Sequence, residues 1–329
     1  MRIGVNSAIT VRCPEAAWVP NCRADDIIGG RARDRPQPPG GRKDRDLHQS
    51  KIRPLLAWSV LAAAAFGSIG PAFAEGRLEA RYSATLAGIP IGSGSWTIDA
   101  AETQYTATVN GSTSGLLRAF TGGQGNATAR STLSSGKIVS SIYAATIITR
   151  KHTDSIRITI NSGNVKDFRV DPPQDEDPER IPITEAHQHN VLDPIAASLV
   201  RMPGNGEVLS PEACQRTVAV FDGRLRYDLQ FAFKRMDNVK AKKGYSGPVV
   251  VCAAYFSPVA GFIPSRTAIK YLAKQRDMEV WLAPIAGTRV LVPYRAQGPT
   301  PVGQAVLEAS EFVSVPLPAK ASANGTKTQ

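Results

Sequence analysis

TVAVFDGRLRYDLQFAFK, residues 217–234, is the stretch on which the fold turns. From Arg224 onward the residues alternate. Leu225, Tyr227, Leu229, Phe231 and Phe233 fall on one side; Arg224, Arg226, Asp228 and Gln230 fall on the other. A period of two with one apolar and one polar side is the pattern of a half-buried β-strand. Asp222-Gly223 stands just before it and follows the apolar run 217–221, so the spacing predicts a hairpin with a two-residue turn.

The same pattern recurs on both sides of this hairpin. Strands are expected at 77–86, 91–98, 105–109, 127–133, 138–148, 155–160 and 165–170. Further strands are expected at 249–255, 278–283, 289–295 and 304–315. Helical signals are few. Asp193-Pro194 pairs an N-cap residue with proline at the first helical position, predicting a helix over 195–201. Ile195, Leu199 and Met202 would share one face of it, laid on the apolar side of 225–233. Residues 115–120 suggest a short helical turn, and 171–182 an acidic, proline-rich loop. The expected fold class is all-β: a curved antiparallel sheet or incomplete barrel in one domain over 75–316, with one or two short helices on its concave face.

Residues 51–74 have the layout of an export signal: Lys51 and Arg53, an apolar run from Leu55 to Ile69, then Ala72-Phe73-Ala74 as a small-residue cleavage site. The apolar run is shorter than the roughly 20 residues that span a bilayer. An uncleaved membrane anchor is the alternative. The expected location is the periplasm, with cleavage after Ala74. Residues 1–50, rich in arginine and proline, read as a disordered extension or as upstream of a misassigned start, with Leu47 one candidate for initiation. Residues 317–329 read as a disordered tail. Beyond Ala74 the chain carries 28 Lys and Arg against 22 Asp and Glu, a net +6. That excess forms no basic stripe for nucleic acid, but it leaves contact with a membrane surface open. An outer-membrane barrel fits poorly, because several strands carry charge on their polar side and the C-terminus lacks an aromatic strand.

Cys214 and Cys252, in an oxidising compartment, are expected to pair. Closing a loop of 38 residues would stabilise the fold by roughly 4 kcal/mol on the loop-entropy account. Chemistry-bearing patterns are sparse. His187 and His189 lack a third ligand nearby, so no metal site is expected. Asp171, Asp175, Glu176 and Asp177 miss calcium-loop spacing. There is no nucleophile elbow, phosphate loop or dinucleotide fingerprint, and no cofactor or catalytic residue is expected. The strongest site candidate is a ligand-binding group of Arg224, Arg226 and Tyr227, joined by Tyr255 and Phe262 if the cysteine bridge draws those strands near. Two arginines on one face can grip a phosphate or carboxylate, or they can pair with Asp228 and other acids.

Tyr82-Ser83-Ala84-Thr85-Leu86-Ala87-Gly88-Ile89-Pro90-Ile91-Gly92 with Trp96 resembles the opening of the DUF3108 proteins. Asp193-Pro194, Phe221-Asp222-Gly223-Arg224 with Arg226-Tyr227, Gly247-Pro248 with Cys252, and Val259-Ala260-Gly261-Phe262 follow in similar order. The resemblance covers about residues 78–315. It implies export in Gram-negative bacteria and a β-rich fold similar to the open barrels of lipoprotein carriers, and it supplies no catalytic residues. The leading functional expectation is a non-enzymatic envelope protein holding an apolar, lipid-like ligand or an envelope component. A structural or protein-interaction module and a hydrolase with a nonstandard site are the alternatives. Exported protein should begin at Glu75 on N-terminal sequencing; a chain that keeps residues 51–74 in the membrane fraction supports the anchor instead.

Overall fold

A computed structural model describes residues 75–317, apart from 102, 116, 117, 119–121 and 135. The export signal, the extension before it, the tail beyond Leu317 and most of the 115–120 turn lie outside the described residues. The first seven strands form a meander: β1 (Glu75–Leu86), β2 (Ile89–Ala100), β3 (Gln104–Thr113), β4 (Gln124–Ser134), β5 (Lys137–Ile148), β6 (Thr153–Asn161) and β7 (Asn164–Asp171). Next come helix α1 (Pro194–Ser198), β8 (Val200–Arg201), β9 (Arg216–Phe221), β10 (Arg226–Lys240), β11 (Lys243–Gly244) and β12 (Ser246–Ala260). Helix α2 (Thr267–Lys274), β13 (Glu279–Pro284), β14 (Val290–Thr300) and β15 (Gly303–Leu317) complete the chain. Leu317 therefore closes the last strand, opposite Glu75, rather than opening the tail.

All fifteen strands belong to one sheet. Its main path runs β7-β6-β5-β4-β3-β2-β1-β15-β14-β13-β12-β10-β9, antiparallel throughout, with β8 added to β14 and β11 added parallel to β15. The sheet does not close, because β7 and β9 are its two edges. Val191–Asp193 draws these edges together. Val191 N–H donates to Gly163 in the β6–β7 turn, Leu192 N–H donates to Ala219 of β9, and Phe221 N–H donates back to Leu192. Phe168 of β7 meets Phe221 of β9 edge to face at 5.2 Å, and Arg224 reaches Asp154 of β6 at 2.8 Å.

β14 and β15 separate like a fork. Their pairing ends at Arg295 and Glu308; beyond it β15 follows β1, and the exposed flank of β14 takes up β8. Pro293 sits at the fork, where no β15 carbonyl needs an N–H, which is where a sheet tolerates proline. Its carbonyl accepts a 2.7 Å bond from the Tyr82 hydroxyl.

β12 is buried on both sides. Val249 and Val251 enter the main core with Leu78, Ile98, Phe221 and Phe312; Val250 and Cys252 enter a second cluster under the 200–214 segment. That explains its run of apolar residues without alternation. Cys252 bonds to Cys214 there, with Cα atoms 5.4 Å apart.

Several expectations need correction. The apolar side of β10 is not a buried face: Phe233 is 40% exposed, and Leu225, Tyr227, Leu229 and Phe231 are only partly covered. Exposure persists even where β9 pairs, over Arg226–Phe231, so what is missing is a layer over that face; a bulge after Phe233 then resets the alternation. The turn is four residues, not two, because the Asp222 carboxylate accepts from Arg224 N–H and Leu225 N–H at 2.8 and 2.7 Å, with Gly223 at φ +92°. The predicted helix over 195–201 stops at Ser198. Ile195 and Leu199 enter the main core, whereas Met202 lies past β8 in the second cluster. Helix α2 carries no sequence signal of the kind that marked α1. Replacing Cys214 and Cys252 with serine should lower the unfolding free energy in urea by about 2–5 kcal/mol; an unchanged midpoint would show the bridge to be dispensable.

Candidate functional site

Asp193 is the anchor around which the interior is organised. It is fully buried and caps α1, its Oδ1 accepting from Ile195 N–H at 2.9 Å and Ala196 N–H at 3.0 Å. Oδ2 accepts from the Ser140 hydroxyl of β5 at 2.6 Å, and Asp193 N–H donates to the same hydroxyl oxygen at 2.9 Å. At the other end of α1, Arg216 donates to the carbonyls of Leu199, at 2.8 Å, and Ala197, which places a cation at the negative end of the helix. Burial pulls the Arg216 guanidinium down to about 10, still charged at neutral pH.

Beneath α1 the concave side is incompletely filled. A cavity of about 570 Å³ lies against Ile195 and Pro194, walled by Tyr82, Trp96, Val109, Pro293 and Leu307. A second space of about 160 Å³ on the β10–β13 side shares Pro194, Ser198 and Pro293 with it. The larger cavity exists because side chains are missing from its wall. Tyr82, Gly94, Gly111 and Gly125 stand opposite one another across β1–β4. Alternation puts Gly94 on the side of Trp96, and Gly111 on the side of Val109. A Cβ on Gly94 would strike the Asn110 carbonyl at 2.7 Å, so glycine is required there. A Cβ on Gly111 would come no closer than 3.8 Å to Ser93 O, so its neighbours do not require glycine; its bareness leaves space.

The five residues singled out from sequence do not form one site. Arg224 lies in the turn before β10, tied to Asp154 and to Pro172 O at 3.3 Å. Arg226 pairs with Asp228 of its own strand at 2.8 Å. The two arginines are thus used in pairing and do not project together. Tyr227 packs on Phe256 at 5.3 Å, and Tyr255 lies under Arg276 at 5.8 Å. Phe262 alone joins Arg224, in a cleft of about 320 Å³ that also holds Arg180, Arg266 and Asp222. His187 Nδ1 accepts from Thr184 N–H at 3.1 Å, and His189 contacts Asn164 at 2.8 Å. Among the described residues no three metal-ligating side chains stand together. Of the wall residues, Tyr82 and Trp96 entered the sequence reading only through the family resemblance and Gly111 not at all, although glycines inside strands signal close approach of backbone or ligand.

Burial perturbs the acids near α1. It raises Asp193 above the usual aspartate range, against the bonds from Ser140, Ala196 and Ile195, and it raises Asp222 likewise. Tyr143 is pushed up to about 12 by burial and then by the carboxylates of Asp193 and Asp222; Tyr227 is raised by burial, Asp222, Tyr143 and Asp193. The raised Asp193 has a measurable consequence. Its contribution to stability is full below the unfolded value of about 3.9 and is lost as pH rises from there to the raised folded value. Asp193→Asn keeps a capping oxygen and removes that loss. Wild type should therefore lose stability relative to the variant as pH climbs through this window in urea titrations. A difference independent of pH would show that Asp193 is not raised.

The description "Protein of unknown function (DUF3108)" belongs to a family model that matches residues 81–310. No curated protein matches the chain. A solved structure, a β-barrel-like protein of the domain of unknown function DUF1849 from Brucella abortus, is similar over 73% of this chain and 97% of its own, at 6% identity and a TM-score of 0.38.

Proposed function

The chain belongs to the DUF3108 family of proteins of unknown function, and from that premise we propose that it is a non-enzymatic, exported envelope protein that holds an apolar, lipid-like ligand in the cavity under α1. The observation that carries this reading is the 570 Å³ space itself, within the roughly 300–1,000 Å³ of ordinary ligand sites and walled by Tyr82, Trp96, Val109, Ile195 and Leu307. An apolar chain entering it would release water from those walls, a gain of about 25 cal/mol per Å² covered. Reading the protein as a hydrolase finds less support. The two carboxylates that burial raises are occupied: Asp193 by the α1 cap and Ser140, and Asp222 by two turn amides.

Gly111→Val tests the reading. Valine suits a strand better than glycine, by up to about 1 kcal/mol, and its side chain would enter the cavity. The variant should be at least as heat-stable as wild type and bind diphenylhexatriene at least tenfold more weakly, with wild-type uptake competed by periplasmic lipid extract. A wild type that takes up no probe, or a stable variant that binds as well as wild type, would falsify the reading and leave the concavity as core.

A further inference from the structure

Helix α2 stands outside everything described so far. None of its eight residues is buried, and its framework contact is with β12. Arg266, Lys270 and Lys274 are spaced four apart, so they form one stripe along the helix. Leu272 falls on the opposite side of the helix from Lys270, with Ile269 between it and Arg266, by the same helical period. Among the described residues, none of Arg266, Lys270, Lys274 and Arg276 is ion-paired. Arg276 donates only to the carbonyls of Ala273 and Gln275. Of the nearby acids, Glu279 is taken by Lys234 and Arg235; Asp277 lies next to Arg276 in the chain, and Asp175 and Asp222 share a cleft with Arg266. The apolar flank is continuous with the cavity. Leu272, 37% exposed, lines a cleft of about 450 Å³ that shares Ala84, Ile91, Ala296 and Leu307 with the space under α1.

We propose that α2 seats the protein on an anionic lipid surface, its basic stripe among the headgroups and Leu272 at the acyl boundary. A short helix with one cationic and one apolar flank, left unburied by its own domain, is the form an interfacial helix takes. Each lysine or arginine near an anionic leaflet adds attraction that salt screens. Seated this way, the cleft beside Leu272 opens toward the bilayer and leads to the cavity.

The experiment is cosedimentation with vesicles of phosphatidylcholine, with and without phosphatidylglycerol, with no probe in the cavity; its failure is thus separable from failure of the ligand reading. Wild type should bind the anionic vesicles, lose them as salt rises, and ignore pure phosphatidylcholine. Lys270→Glu with Lys274→Glu should weaken binding at least tenfold, Leu272→Glu several-fold, and the control Lys166→Glu with Arg169→Glu on β7 hardly at all. All five changes are at exposed positions, and circular dichroism checks the fold. The proposal is overturned by no binding of wild type, by an equal loss in the control, or by a Leu272→Glu variant that binds as wild type, since that would leave net charge alone at work.

Discussion

Three backbone bonds and one carboxylate hold the sheet's two free edges together. Without Val191–Asp193 the β9 edge would be unpaired, an arrangement that invites pairing with other chains. The segment bonds β9 and the β6–β7 turn and then hands the chain to Asp193, whose carboxylate caps α1 and which bonds Ser140 on β5 through both its carboxylate and its N–H. Each such bond is worth only about 1 kcal/mol net. Their effect is geometric: they set the curvature of the sheet and the height of α1 above it.

That curvature forces the fork between β14 and β15. A long twisted sheet cannot keep every pair bonded along its whole length, and here the break falls after Arg295 and Glu308. β8 fills one side of the break, β11 the other, and the Tyr82 hydroxyl satisfies the carbonyl of Pro293. The break is also where side chains thin out, because Gly94 and Gly111 present no atoms beyond the backbone to the concave side. Cavity and fork thus have a common origin in the bending of one sheet.

The charged residues divide by task. Arg224, Arg226 and Arg216 are absorbed by Asp154, Asp228 and the end of α1, so the fold uses the cations that alternation made conspicuous. On α2, Lys270 and Lys274 have no such partner among the described residues, and the sequence there offers no cap and only a short period. Cations without an ion pair and an exposed Leu272 occur together on α2, which is the ground for proposing contact with a surface outside the chain.

Period-two alternation, with the unbroken apolar run of β12, determined where most strands run, because side chains on a strand alternate whatever lies beside them. It located thirteen of the fifteen strands near their observed bounds, missing only the two-residue β8 and β11. The cysteine pairing and the Asp193 cap were legible for a similar reason, since each depends on few residues. Alternation does not say what covers a face. The apolar side of β10 stays half-exposed even beside β9, and a bulge after Phe233 shifts its alternation. Gly111 lay beyond the expected strand 105–109; its opposition to Gly94 and Gly125 in the sheet makes it the bare wall of a cavity. Only the tertiary structure decided these points, because burial and empty volume are properties of neighbours brought together from distant parts of the chain.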